Sequence, residues 1–158
     1  MRSILLIGSV GVGKTTLRQR LHGHKLSYAK TQALETEHGV VDTPGEFLES
    51  RIYKSALINA SYAVDLVVLV QAADVRGTRF PPGFSSAFNR EVIGVVTKCG
   101  LAKGRRDDAV WHLRLAGASK VFCVDSLTGD GLEELIAELH RDDGTAHDLA
   151  PTKPRAGR

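Results

Sequence analysis

The sequence predicts a three-layer α/β/α domain built on a mostly parallel sheet of about six strands. Three observations carry that expectation. Apolar runs of strand length recur at 4–7, 65–70 and 92–96, rich enough in branched residues for strands buried on both faces. Helical apolar spacing separates them, at Leu48, Ile52, Ala56 and Ala60, at Val110, Leu113 and Ala116, and at Leu132, Leu135, Ile136 and Leu139. Glycines also cluster directly after the first strand, at Gly8, Gly11 and Gly13, just before Leu17 and Leu21 mark a helix.

Taken in order, the first helix starts near Thr15 and runs to about Leu21, with Gly23 placed to end it. Residues 24–33 have no period and read as an excursion over the glycine loop, and 34–36 as a short edge strand. Val40 and Val41 form a short strand that ends on Asp42, and Thr43-Pro44-Gly45 turns the chain into a helix over 47–61. After the strand at 65–70, Gly77, Pro81, Pro82 and Gly83 break 74–85 into a loop. The strand at 92–96 ends at Thr97-Lys98-Cys99-Gly100. A helix over 107–116, a last strand at 120–124, a polar turn at 125–131 and an amphipathic helix follow. The nucleotide-binding domain is thus expected over 1–141, with 142–158 a disordered tail.

At 158 residues, 42% hydrophobic and 25% charged, the chain suits one soluble domain. The net charge of +3 is mild, and no basic block alternates with aromatics, so a nucleic-acid partner is not expected. The two cysteines, Cys99 and Cys123, lack metal or redox spacing and read as small buried apolar residues of a reducing compartment. The six histidines form no ligand set. No apolar run approaches membrane-spanning length and no signal peptide is suggested, so a cytoplasmic protein is expected.

Gly8-Ser9-Val10-Gly11-Val12-Gly13-Lys14-Thr15 fits the phosphate-loop pattern G-x-x-x-x-G-K-[ST] at every position, in the strand–loop–helix context that it requires. A polyphosphate needs inward-pointing backbone N–H groups, and glycines let the main chain approach it. The N-terminus of the next helix, through Thr16, adds its positive end. Lys14 is expected to reach the β- and γ-phosphates, and the Thr15 hydroxyl to hold Mg²⁺. Asp42, at a strand end before Thr-Pro-Gly, is the candidate second Mg²⁺ residue, and the Gly45 N–H lies where a γ-phosphate would sit. Glu46 either orients the attacking water or caps the helix that begins near Phe47.

These segments resemble the small GTPase-like phosphate-loop proteins: the first motif at Gly8–Thr15 and the third at Asp42-Thr43-Pro44-Gly45. Thr97-Lys98-Cys99-Gly100 sits where their Asn-Lys-x-Asp base-reading loop belongs. Asp125-Ser126-Leu127-Thr128-Gly129-Asp130-Gly131-Leu132 resembles their Ser-Ala-x-Thr-Gly-x-Gly-Leu loop. A closer resemblance is to the ethanolamine- and propanediol-utilisation proteins EutP and PduV. It rests on Gly8–Leu17, on Lys30-Thr31-Gln32-Ala33 with Glu35, on Asp42-Thr43-Pro44-Gly45-Glu46 and on the compact spacing between Lys14 and Asp42. It implies association with bacterial microcompartments, with a shell or enzyme component as partner. It also makes Thr31 either the first-switch threonine or a plain loop residue.

Three functions of different classes fit these residues: a slow purine nucleoside triphosphatase acting as a switch, a kinase moving the γ-phosphoryl group to a small carboxylic acid such as acetate, and a docking module that barely turns over. Asp-Thr-Pro-Gly favours the switch. A kinase would want an arginine-bearing lid, for which Arg76 and Arg79 are the candidates against a solvated-loop reading. For the base, Lys98 retains its place, but Thr97 and Gly100 stand where asparagine and aspartate are expected. Weak selection between GTP and ATP, within about tenfold, is therefore the expectation. Asp125, with Ser126 beside it, is the candidate substitute carboxylate, or else only orders its own loop; Asp107 and Asp108 read as solvated first-turn residues.

Overall fold

Strand β1 (Ile4–Ile7) has no exposed residue, and its side chains alternate between two separate cores. Ile4 and Leu6 join Leu17, Leu21, Leu132, Leu135 and Leu139 on one face, whereas Leu5 and Ile7 join Leu57, Ala109 and Leu113 on the other. The period of two along a strand thus divides the molecule into three layers. The computed structural model describes residues 2–9, 11–22, 40–42, 51–100 and 105–141, with backbone alone at 22, 40–42 and 51–53.

Among the described residues the remaining elements are α1 (Lys14–His22), β2 (Val40–Asp42), α2 (Arg51–Ser61), β3 (Leu66–Ala72), β4 (Glu91–Thr97), α3 (Arg106–Leu115), β5 (Val121–Cys123) and α4 (Leu132–His140). The strands pair in the order β2-β1-β3-β4-β5, and every pairing is parallel. Helices α1 and α4 cover one face and α2 and α3 the other. Five strands are present among the described residues; the expected edge strand at 34–36 and the tail at 142–158 lie outside them. Because the chain leaves β1 for β2 on one side and returns to β3 on the other, a crevice opens at the strands' C-terminal ends beside β1, where open α/β sheets bind ligands.

The segment expected as a loop over 74–85 is more structured than its prolines suggest. Gly83 leads into a 3₁₀ turn at Phe84–Ala87. Phe80, Phe84 and Phe88 are all buried, with successive ring centroids 5.5 and 5.4 Å apart. Gly83 N–H and Ser85 N–H donate to the carbonyls of Leu115 and Ala116 at 2.9 and 2.8 Å, pinning the turn to the end of α3. The four-residue spacing of the phenylalanines carried this information, masked by Pro81-Pro82-Gly83.

At the opposite end of the sheet Arg2, nearly buried, pairs with Glu91 at 3.0 Å and with Glu138 at 3.1 Å, and Lys120 also reaches Glu138 at 3.0 Å. Burial alone raises the Glu138 carboxyl, but the hydrogen bonds from Lys120 and Arg2 more than reverse it and hold it below its ordinary 4.5. A carboxylate depressed in the folded state stabilises above its unfolded value, and that stability is lost as pH falls through the folded value. Glu138→Gln should therefore cost more stability at pH 7 than at about pH 3. Denaturant unfolding at both values checks it; an equal cost at both would contradict the pairing.

Candidate nucleotide site

The loop between β1 and α1 takes its shape from Gly11 and Gly13, whose φ angles of 81° and 86° lie in the left-handed region that favours glycine. These conformations turn the main chain back to start α1 at Lys14, and Leu17 N–H closes the first helical bond to Gly13 O at 2.9 Å. Lys14 is largely buried at the first position of α1, whereas Thr15 and Thr16 beside it are exposed. The N-terminus of α1 thus begins directly at the end of the loop.

Two later segments brace this loop. The Thr97 hydroxyl, at the end of β4, donates to Val12 O. Lys98, with a left-handed φ of 57°, reaches back so that its ammonium donates to Gly11 O at 3.0 Å and pairs with Asp74 at 3.7 Å. That left-handed backbone is uncommon for a lysine, and it lays the aliphatic stem along the crevice. From the loop after β5, the Asp125 carboxylate takes the N–H groups of Leu127 and Thr128 on Oδ1 at 2.9 and 3.2 Å. Arg20 of α1 donates to the carbonyls of Ser126 and Leu127 at 2.6 and 2.8 Å.

These segments enclose a cavity of about 240 Å³ lined by Gly13, Thr16, Thr97, Lys98, Asp125, Ser126 and Leu127. Of the expected residues, Gly13 and Thr16 meet Thr97, Lys98, Asp125 and Ser126 at this cavity, whereas Gly8, Ser9, Gly11, Val12, Lys14 and Thr15 belong to the adjoining loop and helix start without lining it. Val10, Thr31, Gly45 and Glu46 lie outside the described residues. Asp42 ends β2 with its backbone in register with Leu6 of β1, one strand from the loop. Asp107 and Asp108 are exposed in the first turn of α3, where carboxylates favour the helix dipole, and do not line the cavity. Sequence reasoning missed Arg20 and Leu127; an arginine on α1 carries no motif that points to a loop more than a hundred residues away.

Among the described residues no three His, Cys, Asp or Glu side chains cluster as a metal site. The exposed Thr15 hydroxyl at the α1 N-terminus, and Asp42 as a carboxylate residue whose backbone ends the neighbouring strand, are of the oxygen-donor type that a hard divalent ion takes. A second cavity, of about 410 Å³, touches the other side of the loop and is lined by Ser9, Val12, Gln71, Arg76, Thr78 and Arg79, among others.

The two cysteines, which line a further cavity of about 350 Å³ with Gly100, Arg106, Asp125 and Asp130, form no disulfide and are only half-buried, a correction to their reading as buried apolar residues. Burial first, and then the adjacent Cys123, push the Cys99 thiol up to about 12. Cys99 therefore stays protonated near neutral pH, and the thiolate is the nucleophile. Iodoacetamide at about pH 8 should label Cys99 of the folded protein far more slowly than that of the unfolded chain. Peptide mapping reads the ratio; equal rates would contradict this environment.

The family model described as ethanolamine utilisation – propanediol utilisation, PduV-EutP, matches residues 1–141. The chain belongs to the PduV-EutP family. The propanediol utilization protein PduV of Citrobacter freundii is 42% identical over 142 residues, covering 89% of this chain and 94% of PduV. A protein named "Probable acetate kinase EutP" from Salmonella typhimurium is 39% identical over 100 residues, covering 62% of this chain and 63% of that relative. Among solved structures, translation elongation factor SelB of Methanococcus maripaludis in complex with the GTP analogue GppNHp superposes with a TM-score of 0.62 at 22% identity, over 87% of this chain and 33% of SelB. That likeness shows that this PduV-EutP chain has the GTPase-like phosphate-loop fold. Among its described residues no helix is long and apolar enough to cross a membrane.

Proposed function

We propose that the chain binds a purine nucleoside triphosphate, GTP or ATP, together with Mg²⁺, and hydrolyses it slowly as a GTPase-like switch in ethanolamine or propanediol utilisation. One observation carries this: the phosphate loop and α1 N-terminus open into the cavity that Lys98, Asp125 and Ser126 also line. Lys14 and the first-turn N–H groups would hold the phosphates, with Thr15 and Asp42 holding Mg²⁺, which when bound offsets phosphate charge. Thr31, Gly45 and Glu46 are the candidates to respond to the γ-phosphate, and a switch of this kind fits a cytoplasmic protein that docks on a microcompartment shell or enzyme.

Glu46 repels a γ-phosphate more than it helps an attacking water. Turnover by the purified protein is therefore expected on the order of 10⁻⁴ to 10⁻² s⁻¹, as for unassisted GTPases. Phosphate release at about 1 s⁻¹ or faster would contradict the slow switch.

A second reading has its own observation. Arg76 and Arg79 share the 410 Å³ cavity with Ser9 and Val12 of the phosphate loop, a place where two cations could hold a small carboxylate. In that case a carboxylate oxygen would attack the γ-phosphorus, the bond to the β-phosphate oxygen would break, and an acyl phosphate and nucleoside diphosphate would form. The turnover assay distinguishes the two when run with acetate: acyl phosphate trapped by hydroxylamine supports the kinase, and inorganic phosphate alone supports the switch.

A further inference from the structure

The sequence removes the expected base-reading carboxylate at position 100 and carries one at position 125, and the fold brings the two positions into contact. A Cβ placed on Gly100 would collide with Asp125 Oδ2. Only glycine at position 100 leaves that carboxylate its place. Asp125 is 7% exposed. Its Oδ1 is occupied by the N–H groups of Leu127 and Thr128, whereas Oδ2 accepts no hydrogen bond among the described residues. Oδ2 thus keeps access to solvent within an otherwise buried side chain, and Asp125 lines the 240 Å³ cavity, so this oxygen is open to a donor from a ligand.

The walls around it suit a flat heterocycle. Lys98 is anchored at its ammonium by Gly11 O and Asp74, so its methylene stem forms one side. Leu127 is 72% exposed at the rim, an apolar side chain that a stacked ring would cover. The Ser126 hydroxyl is buried without a partner among the described residues. Arg20 fixes the main chain that carries both, so the loop does not have to be ordered by the ligand.

Resting on the nucleotide-binding reading above, we propose that Asp125 reads the guanine base through Oδ2 in place of a carboxylate at position 100, and so makes the chain selective for GTP. Guanine presents N1–H and the 2-amino group as adjacent donors, and the two lone pairs of Oδ2 accept both. Adenine presents an unprotonated N1 there, which a carboxylate repels. The weak selectivity expected from Gly100 alone is replaced by a clear GTP preference.

Competition titrations with GTP, ATP, inosine triphosphate and xanthosine triphosphate test this on the parent and on Asp125→Asn. Asparagine keeps an acceptor for the Leu127 and Thr128 N–H groups but turns a donor toward the base. The parent should prefer GTP over ATP by more than about tenfold. Inosine triphosphate, which lacks the 2-amino group, should bind several-fold more weakly than GTP. In Asp125→Asn the GTP/ATP ratio should fall at least about tenfold while xanthosine triphosphate, with a carbonyl at C2, gains affinity. A destabilised loop would weaken every nucleotide alike and could not produce that gain. Equal parent affinities for GTP and inosine triphosphate, or an unchanged GTP/ATP ratio in the variant, would overturn the assignment while leaving nucleotide binding intact. Failure of the parent to bind any of the four would instead sink the underlying reading.

Discussion

Lys14→Ala is expected to lower nucleoside triphosphate affinity at least about tenfold, equivalent to about 1.4 kcal/mol. Lys14 sits at the first position of α1, directly after Gly13, with little of its side chain exposed. At that position the ammonium would face several phosphate oxygens, and each charge-assisted hydrogen bond to a phosphate contributes about 1.5–3 kcal/mol. The alanine keeps the helix, because alanine is the strongest helix former. Thermal unfolding of the ligand-free variant separates a folding defect from a binding defect. A folded Lys14→Ala protein that binds nucleotide as tightly as the parent would contradict the phosphate-loop assignment.

Gly8→Ala should damage both fold and site. A Cβ at this position would lie 2.6 Å from the carbonyl oxygen of Val70 and 2.9 Å from Cγ2 of Val12. The first of these is backbone of β3, the central strand, and cannot swing aside as a flexible side chain would. Forcing one carbon into a close-packed interior costs about 1–3 kcal/mol, here at the junction where β1 gives way to the loop. The loop must shift away from β3, which also displaces the N–H groups proposed to hold the phosphates. A melting temperature lowered by several degrees together with weakened nucleotide binding is the expected pair of results. A parent-like melt and parent-like affinity would mean that the loop seats differently.

The sheet was legible because its strands are buried on both faces. Ile4–Ile7, 65–70 and 92–96 read as strands from apolar composition alone, since no polar face was needed to reveal them. Their parallel pairing followed from the helices between them. The shape of the glycine loop was equally legible, because Gly11, Gly13 and the start of α1 at Lys14 lie within one short segment whose pattern fixes the residue types. The far side of the cavity was only half legible. Asp125 stood out as a carboxylate in the loop after β5, but its closeness to Gly100 depends on parallel strands β4 and β5 lying side by side, a contact that no local pattern encodes. Arg20 was invisible for the same reason. The aromatic group at Phe80, Phe84 and Phe88 was hidden differently: its spacing was present, but two prolines and a glycine within it signalled loop, and burial against α3 outweighed them.

The most direct test of Mg²⁺-dependent triphosphate binding in this crevice is an equilibrium titration of the full chain with the non-hydrolysable analogue GppNHp, in Mg²⁺ and again in excess EDTA. One molecule should bind per chain in Mg²⁺, and affinity should fall at least about tenfold when the ion is withdrawn. No binding up to about 1 mM analogue, or binding indifferent both to EDTA and to Lys14→Ala, would contradict it.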